Sequence, residues 1–321
     1  MRSRHTLTAT FAVAVLSSSA CSSRAPDPPP LTPEVVKEIT DWRAKHEVDY
    51  RRDWVSIAGL HDLKPGTNTA GSDKANDIVL PPSVPAALGR FVMDGPRVRF
   101  EPAKGAAVFL KAKSGATQDT AVTTPIDLKD DGGSGSDELV TGDVRLVVHL
   151  SGERRSIRVR DPNGEQARGF LGFSWFPIDA QYRVVGRFIK DAEPRKLPVA
   201  NTFGDTDTYS TEGVVEFTLL GRTLRLRPFT TRPKRFYFVF RDASSGQETY
   251  EAARFVYSTL LDDGTTIVDF NQAYNPPCAF NPYTTCPIPL KENRLPVKIL
   301  AGEKAYPIHV PLPGLRGPGG S

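Results

Sequence analysis

In the C-terminal third of the chain, Glu248, Tyr250 and Arg254, followed by Asp269 and Asn271, recur at the two-residue spacing of a β-strand. Alternate residues of a strand project to one face. Read as a strand, Gln247 to Phe255 carries Glu248, Tyr250 and Arg254 on one side and Thr249, Ala253 and Phe255 against the core. Asp262-Asp263-Gly264-Thr265 reads as a tight turn. Centred on Asp263-Gly264, it pairs Ser258 with Asp269 and Val256 with Asn271, and directly opposed residues share a face. The expected result is a single polar side on which Arg254 and Asn271 donate, Glu248 and Asp269 accept and Tyr250 offers an aromatic platform, with Val268 and Phe270 joining Phe255 beneath. Such a set suits a small polar ligand or a sugar. The same residue types across strands also serve as a hydrogen-bond network that fixes a sheet corner. Arg160, Asp161 and Asn293 are assigned to the same ligand-binding group.

Other chemistries are weighed against this one. The chain has no G-x-S-x-G elbow, no H-E-x-x-H, no P-loop and no G-x-G-x-x-G, the local patterns that mark several hydrolase, metal and nucleotide sites. A hydrolase would use two of Asp161, Glu248, Asp269 and Glu303, with Arg160 or Arg254 holding an anionic substrate. Asp130 to Glu138 is acidic and Gly/Ser-rich but lacks the ligand spacing of a calcium loop, and it reads as a flexible hairpin tip. No metal and no cofactor are expected. Cys278 and Cys286, separated by seven residues and flanked by prolines, match neither a zinc ribbon nor a thioredoxin-like motif. In an oxidising compartment they are expected to form a disulfide worth about 2–3 kcal/mol. The alternatives are a metal site completed by remote ligands, or a nucleophilic thiol with one of His46, His61, His149 or His309 nearby.

The N-terminus reads as an address. Arg2 and Arg4 precede an apolar run from Leu7 to Leu16, and Ser17 to Ala20 lead into Cys21, the layout of a signal peptide. The run falls short of the ~20 apolar residues that span a bilayer as a helix. Ser18 to Cys21 resembles a lipoprotein box with Ser18 where Leu is usual, so lipidation at Cys21 is expected. That places the chain in the periplasm or on the outer surface, touching a membrane only through the lipid. The segments expected are a signal peptide over 1–21, a Pro-rich linker over 22–32, one mainly β domain over 33–310 and a Gly/Pro tail over 311–321.

The elements that must position the candidate residues are mostly strands. Thr32 and Pro33 form a helix start, and Val36, Ile39, Trp42, His46 and Tyr50 recur at helical spacing, which predicts one amphipathic helix. After Trp54 the period falls to two and about a dozen short strands follow, with no helix-length pattern between them. The 26 Gly and 28 Pro exceed what long helices tolerate. The fold class expected is therefore mainly β: an antiparallel sandwich or barrel-like domain behind one N-terminal helix. Charge is close to balanced, 41 basic against 37 acidic residues with no like-charge block, so no nucleic-acid partner is expected.

Asp269-Phe270-Asn271-x-Ala273-Tyr274-Asn275-Pro276-Pro277-Cys278, Cys286-Pro287, Glu292-Asn293-Arg294-Leu295 and Ala301-Gly302-Glu303-Lys304 resemble the bacterial and archaeal family called domain of unknown function 1684. Gly59-Leu60, Gly66-Thr67-Asn68, Ile157 to Asp161, and Glu248-Thr249-Tyr250 with Arg254 are similar too, so the resemblance runs from about Trp54 to Lys304. His61-Asp62 departs from the family, in which an aromatic commonly follows Gly-Leu. The resemblance implies a protein often exported or lipid-anchored and supplies no reaction. The function expected is an envelope module binding a small polar or carbohydrate-like ligand; the alternatives are the paired-carboxylate hydrolase and a structural envelope protein.

Overall fold

The computed structural model describes residues 30–113, 118–133 and 135–311. The expected signal peptide, Cys21, most of the linker and nearly all of the tail lie outside the described residues.

Helix α1 (Pro33–Tyr50) starts where its capping residues dictate, with Thr32 Oγ1 accepting the Val35 N–H at 3.4 Å. Trp42, His46 and Tyr50, spaced four apart, stack along one side with ring centroids 4.8 and 4.4 Å apart. Arg51–Val55 extends the helix by a π turn, closed by the Ser56 N–H on the Arg51 carbonyl. The first strand therefore begins only at Ile57.

Eleven strands follow: β1 (Ile57–Asp62), β2 (Gly66–Gly71), β3 (Ile78–Val79), β4 (Gly89–Asp94), β5 (Arg97–Pro102), β6 (Phe109–Leu110), β7 (Thr120–Ala121), β8 (Ile126–Leu128), β9 (Glu138–Thr141), β10 (Val144–Ser151) and β11 (Arg154–Arg160). They form two sheets, ordered β1-β11-β10-β9-β6-β7 and β3-β2-β4-β5-β8. Phe91, Phe100, Leu146, Val148, Ile157 and Val159 belong to the core that these strands share. The opposite face of β10 and β11 carries His149, Ser156 and Arg158, with His149 paired to Ser156.

After the short helix α2 (Glu165–Gly169) come β12 (Arg183–Ala200), β13 (Thr206–Leu219), β14 (Arg222–Leu226), β15 (Phe229–Arg232), β16 (Arg235–Phe240), β17 (Arg254–Thr259) and β18 (Thr265–Asp269). The sheets β14-β13-β12-β18 and β15-β16-β17 share a second core containing Val215, Phe217, Phe236, Phe238, Val268 and Phe270. Alternation along β16 sends Tyr237 and Val239 the other way, into a third, aromatic core with Tyr50, Phe255, Tyr274 and Phe280 beside α1. The chain is thus mainly β and antiparallel with one N-terminal helix, and its sheets stay open rather than closing into a barrel. Eighteen strands appear among the described residues instead of about a dozen. Of the extra ones, β3 is two residues long and too short to show an alternation.

The hairpin expected from Gln247 to Asn271 is not formed. Residues 244–249 close on themselves: the Ser244 carbonyl accepts the N–H groups of Gln247, Glu248 and Thr249, and the Ser244 and Thr249 hydroxyls meet at 2.8 Å. Turn chemistry therefore overrides the alternation, and the strand starts at Arg254. From there β17 pairs with β16 and β18 pairs with β12, in different sheets. β17 and β18 meet only around the bridge between Leu260 and Thr266, one residue away from the register centred on Asp263-Gly264. Thr266 Oγ1 donates to the Thr259 carbonyl at 2.9 Å and clips this corner where the two sheets part.

Candidate functional site

Because β17 and β18 diverge, the single polar side expected of them is absent, and the eight assigned residues occupy separate places. Arg254 and Asn293 are buried inside the C-terminal half. Arg254 Nη1 donates to Asp242 at 2.8 Å and to the Ile299 carbonyl at 3.0 Å, and Nη2 donates to the Ala301 carbonyl. Asn293 bridges strands: its Oδ1 accepts the Arg227 N–H at 2.8 Å, and its Nδ2 donates to the Arg227 and Val239 carbonyls. Asp269 and Asn271 do stay together. The Asp269 carboxylate accepts the Asn271 N–H and Nδ2, and Asn271 locks onto the Asp179 backbone through both its amide atoms. Burial raises the Asp269 carboxyl above its ordinary value despite these bonds. Tyr250 is buried with its hydroxyl on the Cys278 carbonyl, and Glu248 holds Lys298 at 2.6 Å on the surface. Every one of these groups has a protein partner, which is the hydrogen-bond-network alternative realised at several corners at once.

The disulfide expectation is also corrected. Cys278 and Cys286 are both free and buried. The Cys278 N–H donates to Cys286 Sγ at 3.3 Å, while the Cys286 N–H is held by Thr202 Oγ1 at 3.1 Å. Burial pushes the Cys278 thiol well above its usual value, so it stays protonated.

Arg160 and Asp161 lie in the first half, at the end of β11. Arg160 Nε donates to the Asp53 carbonyl at 2.9 Å and is tied to the backbone. Asp161 organises a turn: its Oδ1 accepts the Asn163 N–H at 2.8 Å, and its carbonyl accepts the Gly164 N–H at 3.0 Å, which starts α2. Its own N–H is fixed on the Ser56 carbonyl at 2.7 Å. Facing it is the turn between β9 and β10, where Gly142 takes a φ of 57° and Asp143 accepts Asn163 Nδ2 at 3.2 Å. Tyr283 arrives from the C-terminal half on a loop pinned by Asn281, whose Nδ2 donates to the Ile57 and Trp54 carbonyls. Between these pieces lies an open cleft of about 690 Å³, lined by Asp143, Asp161, Glu165, Gln166, Arg168 and Tyr283 among others.

Three carboxylates line it with one guanidinium, so the cleft disfavours anions and admits neutral or cationic partners. Acids and amides supply hydrogen bonds to hydroxyl groups, and the Tyr283 ring supplies an apolar surface. Of the eight residues assigned from sequence, only Asp161 lines this cleft. Sequence reasoning missed Asp143, Asn163, Glu165, Arg168 and Tyr283. The available signal was Asp161-Pro162-Asn163-Gly164, a turn signature directly after a strand; nothing local points to Tyr283. Among the described residues, no group of three or more His, Cys, Asp and Glu is placed to hold a metal ion.

Fold and cleft together define a mainly β protein of two open, two-sheet cores, with a polar cleft where its two halves meet. The chain belongs to the family of proteins of unknown function DUF1684, whose model matches residues 168–304. The similar pieces at Gly59-Leu60, Gly66 to Asn68 and Ile157 to Asp161 lie outside that match. A solution structure of an uncharacterized protein of Haloarcula marismortui is 30% identical, covering 44% of this chain and 80% of that one with a TM-score of 0.37. No curated protein matches the chain significantly.

Proposed function

We propose that this protein is a module of the cell envelope that binds a small, neutral, carbohydrate-like ligand in the cleft between α2 and the β9–β10 turn. The supporting observation is the lining: three carboxylates, amides and Tyr283 around about 690 Å³, a volume suited to one or a few sugar units. A hydrolase that grips an anionic substrate is the weaker reading, because Arg160 and Arg254 are committed to protein carbonyls and Asp242. Export and lipid attachment at Cys21 are part of the proposal and rest on the sequence from Arg2 to Cys21. Labelling of the wild type, but not of Cys21→Ser, by a palmitate analogue is the expected result for that part.

Calorimetric titration with hexoses, N-acetylhexosamines and their short oligomers tests the binding. Saturable heat with at least one of them, lost in both Tyr283→Ala and Asp143→Asn, is expected. Absence of saturable heat across the panel, or binding that both variants leave unchanged, overturns the reading.

A further inference from the structure

A second constellation, sharing no residue with the cleft, joins Asp131 and His149 of the first half to Thr285 of the C-terminal half. Asp131 sits on the loop before β9 and docks on β10 through its N–H to the Val148 carbonyl. Its carboxylate oxygens lie 3.0 Å from His149 Nδ1 and also accept the Leu150 N–H at 3.0 Å and Arg158 Nη1 at 2.9 Å. On the other side of the ring, His149 Nε2 is 3.1 Å from the hydroxyl of Thr285, 136 residues away in the chain.

These contacts fix the proton positions. An ionised carboxylate only accepts, so Nδ1 carries the proton and the neutral ring presents a lone pair at Nε2, to which the Thr285 hydroxyl must donate. The protonation states agree. Burial raises the Asp131 carboxyl, but the His149 bond and the Arg158 charge outweigh it and hold it below its ordinary value. Burial also lowers the His149 imidazole. The array is therefore a carboxylate, a neutral imidazole in a defined tautomer and a hydroxyl in line.

A purely structural strut is the competing explanation, and the Thr285 loop does not need one. It is already fastened by Asn281 on the Ile57 carbonyl, by the Cys286 N–H on Thr202 Oγ1 and by the Thr202 N–H on the Cys286 carbonyl. His149 is buried, whereas Thr285 keeps partial exposure, so a reactant can reach the hydroxyl while the base stays dry.

We propose that Thr285 is a nucleophile for acyl transfer from esters, with His149 as its general base and Asp131 as the positioning residue. Thr285 Oγ1 forms a bond to the ester carbonyl carbon as its proton passes to His149 Nε2. The carbon–oxygen bond to the leaving alcohol breaks, and the alcohol takes that proton. Water, deprotonated by His149, then attacks the acyl-threonine carbonyl, the bond to Thr285 Oγ1 breaks as His149 returns the proton to that oxygen, and the acid is released.

The test uses the full chain and a fluorophosphonate probe, in which the Thr285 oxygen–phosphorus bond forms, fluoride leaves and His149 receives the proton. Peptide mapping is expected to place the adduct on Thr285. Thr285→Val abolishes labelling, His149→Gln slows it at least about a hundredfold, and Thr285→Ser, less hindered, labels at least as fast as the wild type. Asp131→Asn shifts the pH profile of labelling, which loss of a mere strut would not do. Thermal melts of each variant separate lost reactivity from lost folding, and the serine variant decides the matter if the others do not fold. An unlabelled wild type and serine variant, an adduct elsewhere, or wild-type labelling of a folded His149→Gln overturns the proposal.

Discussion

Arg254 Nη1 lies 2.8 Å from the Asp242 carboxylate, and neither side chain has any exposed surface. Asp242 Oδ1 also caps its own turn through the Ser244 N–H at 2.7 Å, so this pair ties β17 to the turn that ends the polar alternation before it. Replacing Arg254 by Met leaves a buried charge without its counter-ion, a loss of about 3–5 kcal/mol. Urea unfolding of Arg254→Met, Asp242→Asn and the double variant checks this. The double variant should lose clearly less than the sum of the two singles, and simple additivity would refute the coupling.

His46 gives the fold a dependence on acid. Its ring sits between Trp42 and Tyr50 and 4.5 Å from Tyr274, with Nε2 buried and unpartnered, and burial lowers its pKa from 6.5 to about 4. A depressed folded-state value means that the unfolded chain takes up the proton first as pH falls. The contribution is present above pH 6.5 and is lost on the way to about pH 4, to the extent of roughly 3 kcal/mol. His46→Phe should flatten the acid limb of stability measured against pH. An unchanged limb would show that other groups control it.

Glu303 acts in the opposite direction. Its oxygens accept the Asn275 N–H and Nδ2, both at 2.8 Å, and burial raises its pKa to about 8 in spite of those bonds. The folded state therefore keeps a proton that the unfolded chain has released, and stability declines from about pH 4.5 until pH 8. Glu303→Gln, which stays neutral, should lose that slope and gain on the wild type as the solution becomes more alkaline. Melting temperatures of the two proteins across this window provide the measurement, and parallel curves would contradict it.

The two buried thiols make a chemical prediction. Alkylation of denatured, unreduced protein followed by peptide mapping should modify both Cys278 and Cys286, whereas native protein should react slowly at both because both are buried away from the reagent. A linked peptide would show that the pair is oxidised in solution.

Much of the fold was legible because it is local. Thr32-Pro33 marks the start of α1, and short runs rich in β-branched and aromatic residues mark β10, β11 and β16, where burial leaves a direct trace in residue type. The stretch from Gln247 to Ala253 shows the limit. Its alternation is as good as that of a strand, yet Asp242, Ser244 and Thr249 spend their hydrogen-bonding groups on a turn, and a two-residue period carries no information about which competitor prevails.

The sequence by itself determined the class of the protein, its helix, most of its longer strands and its membership of a family, since all of these depend on neighbours a few residues apart. Tertiary structure alone decided what the polar residues do. Whether β17 and β18 share a sheet, whether Tyr283 reaches Asp161 and whether Thr285 reaches His149 are settled by how two cores pack across more than a hundred residues of chain. Free energy for that choice comes from burying aromatic and aliphatic surface elsewhere, and it leaves no mark in the spacing of the residues it brings together.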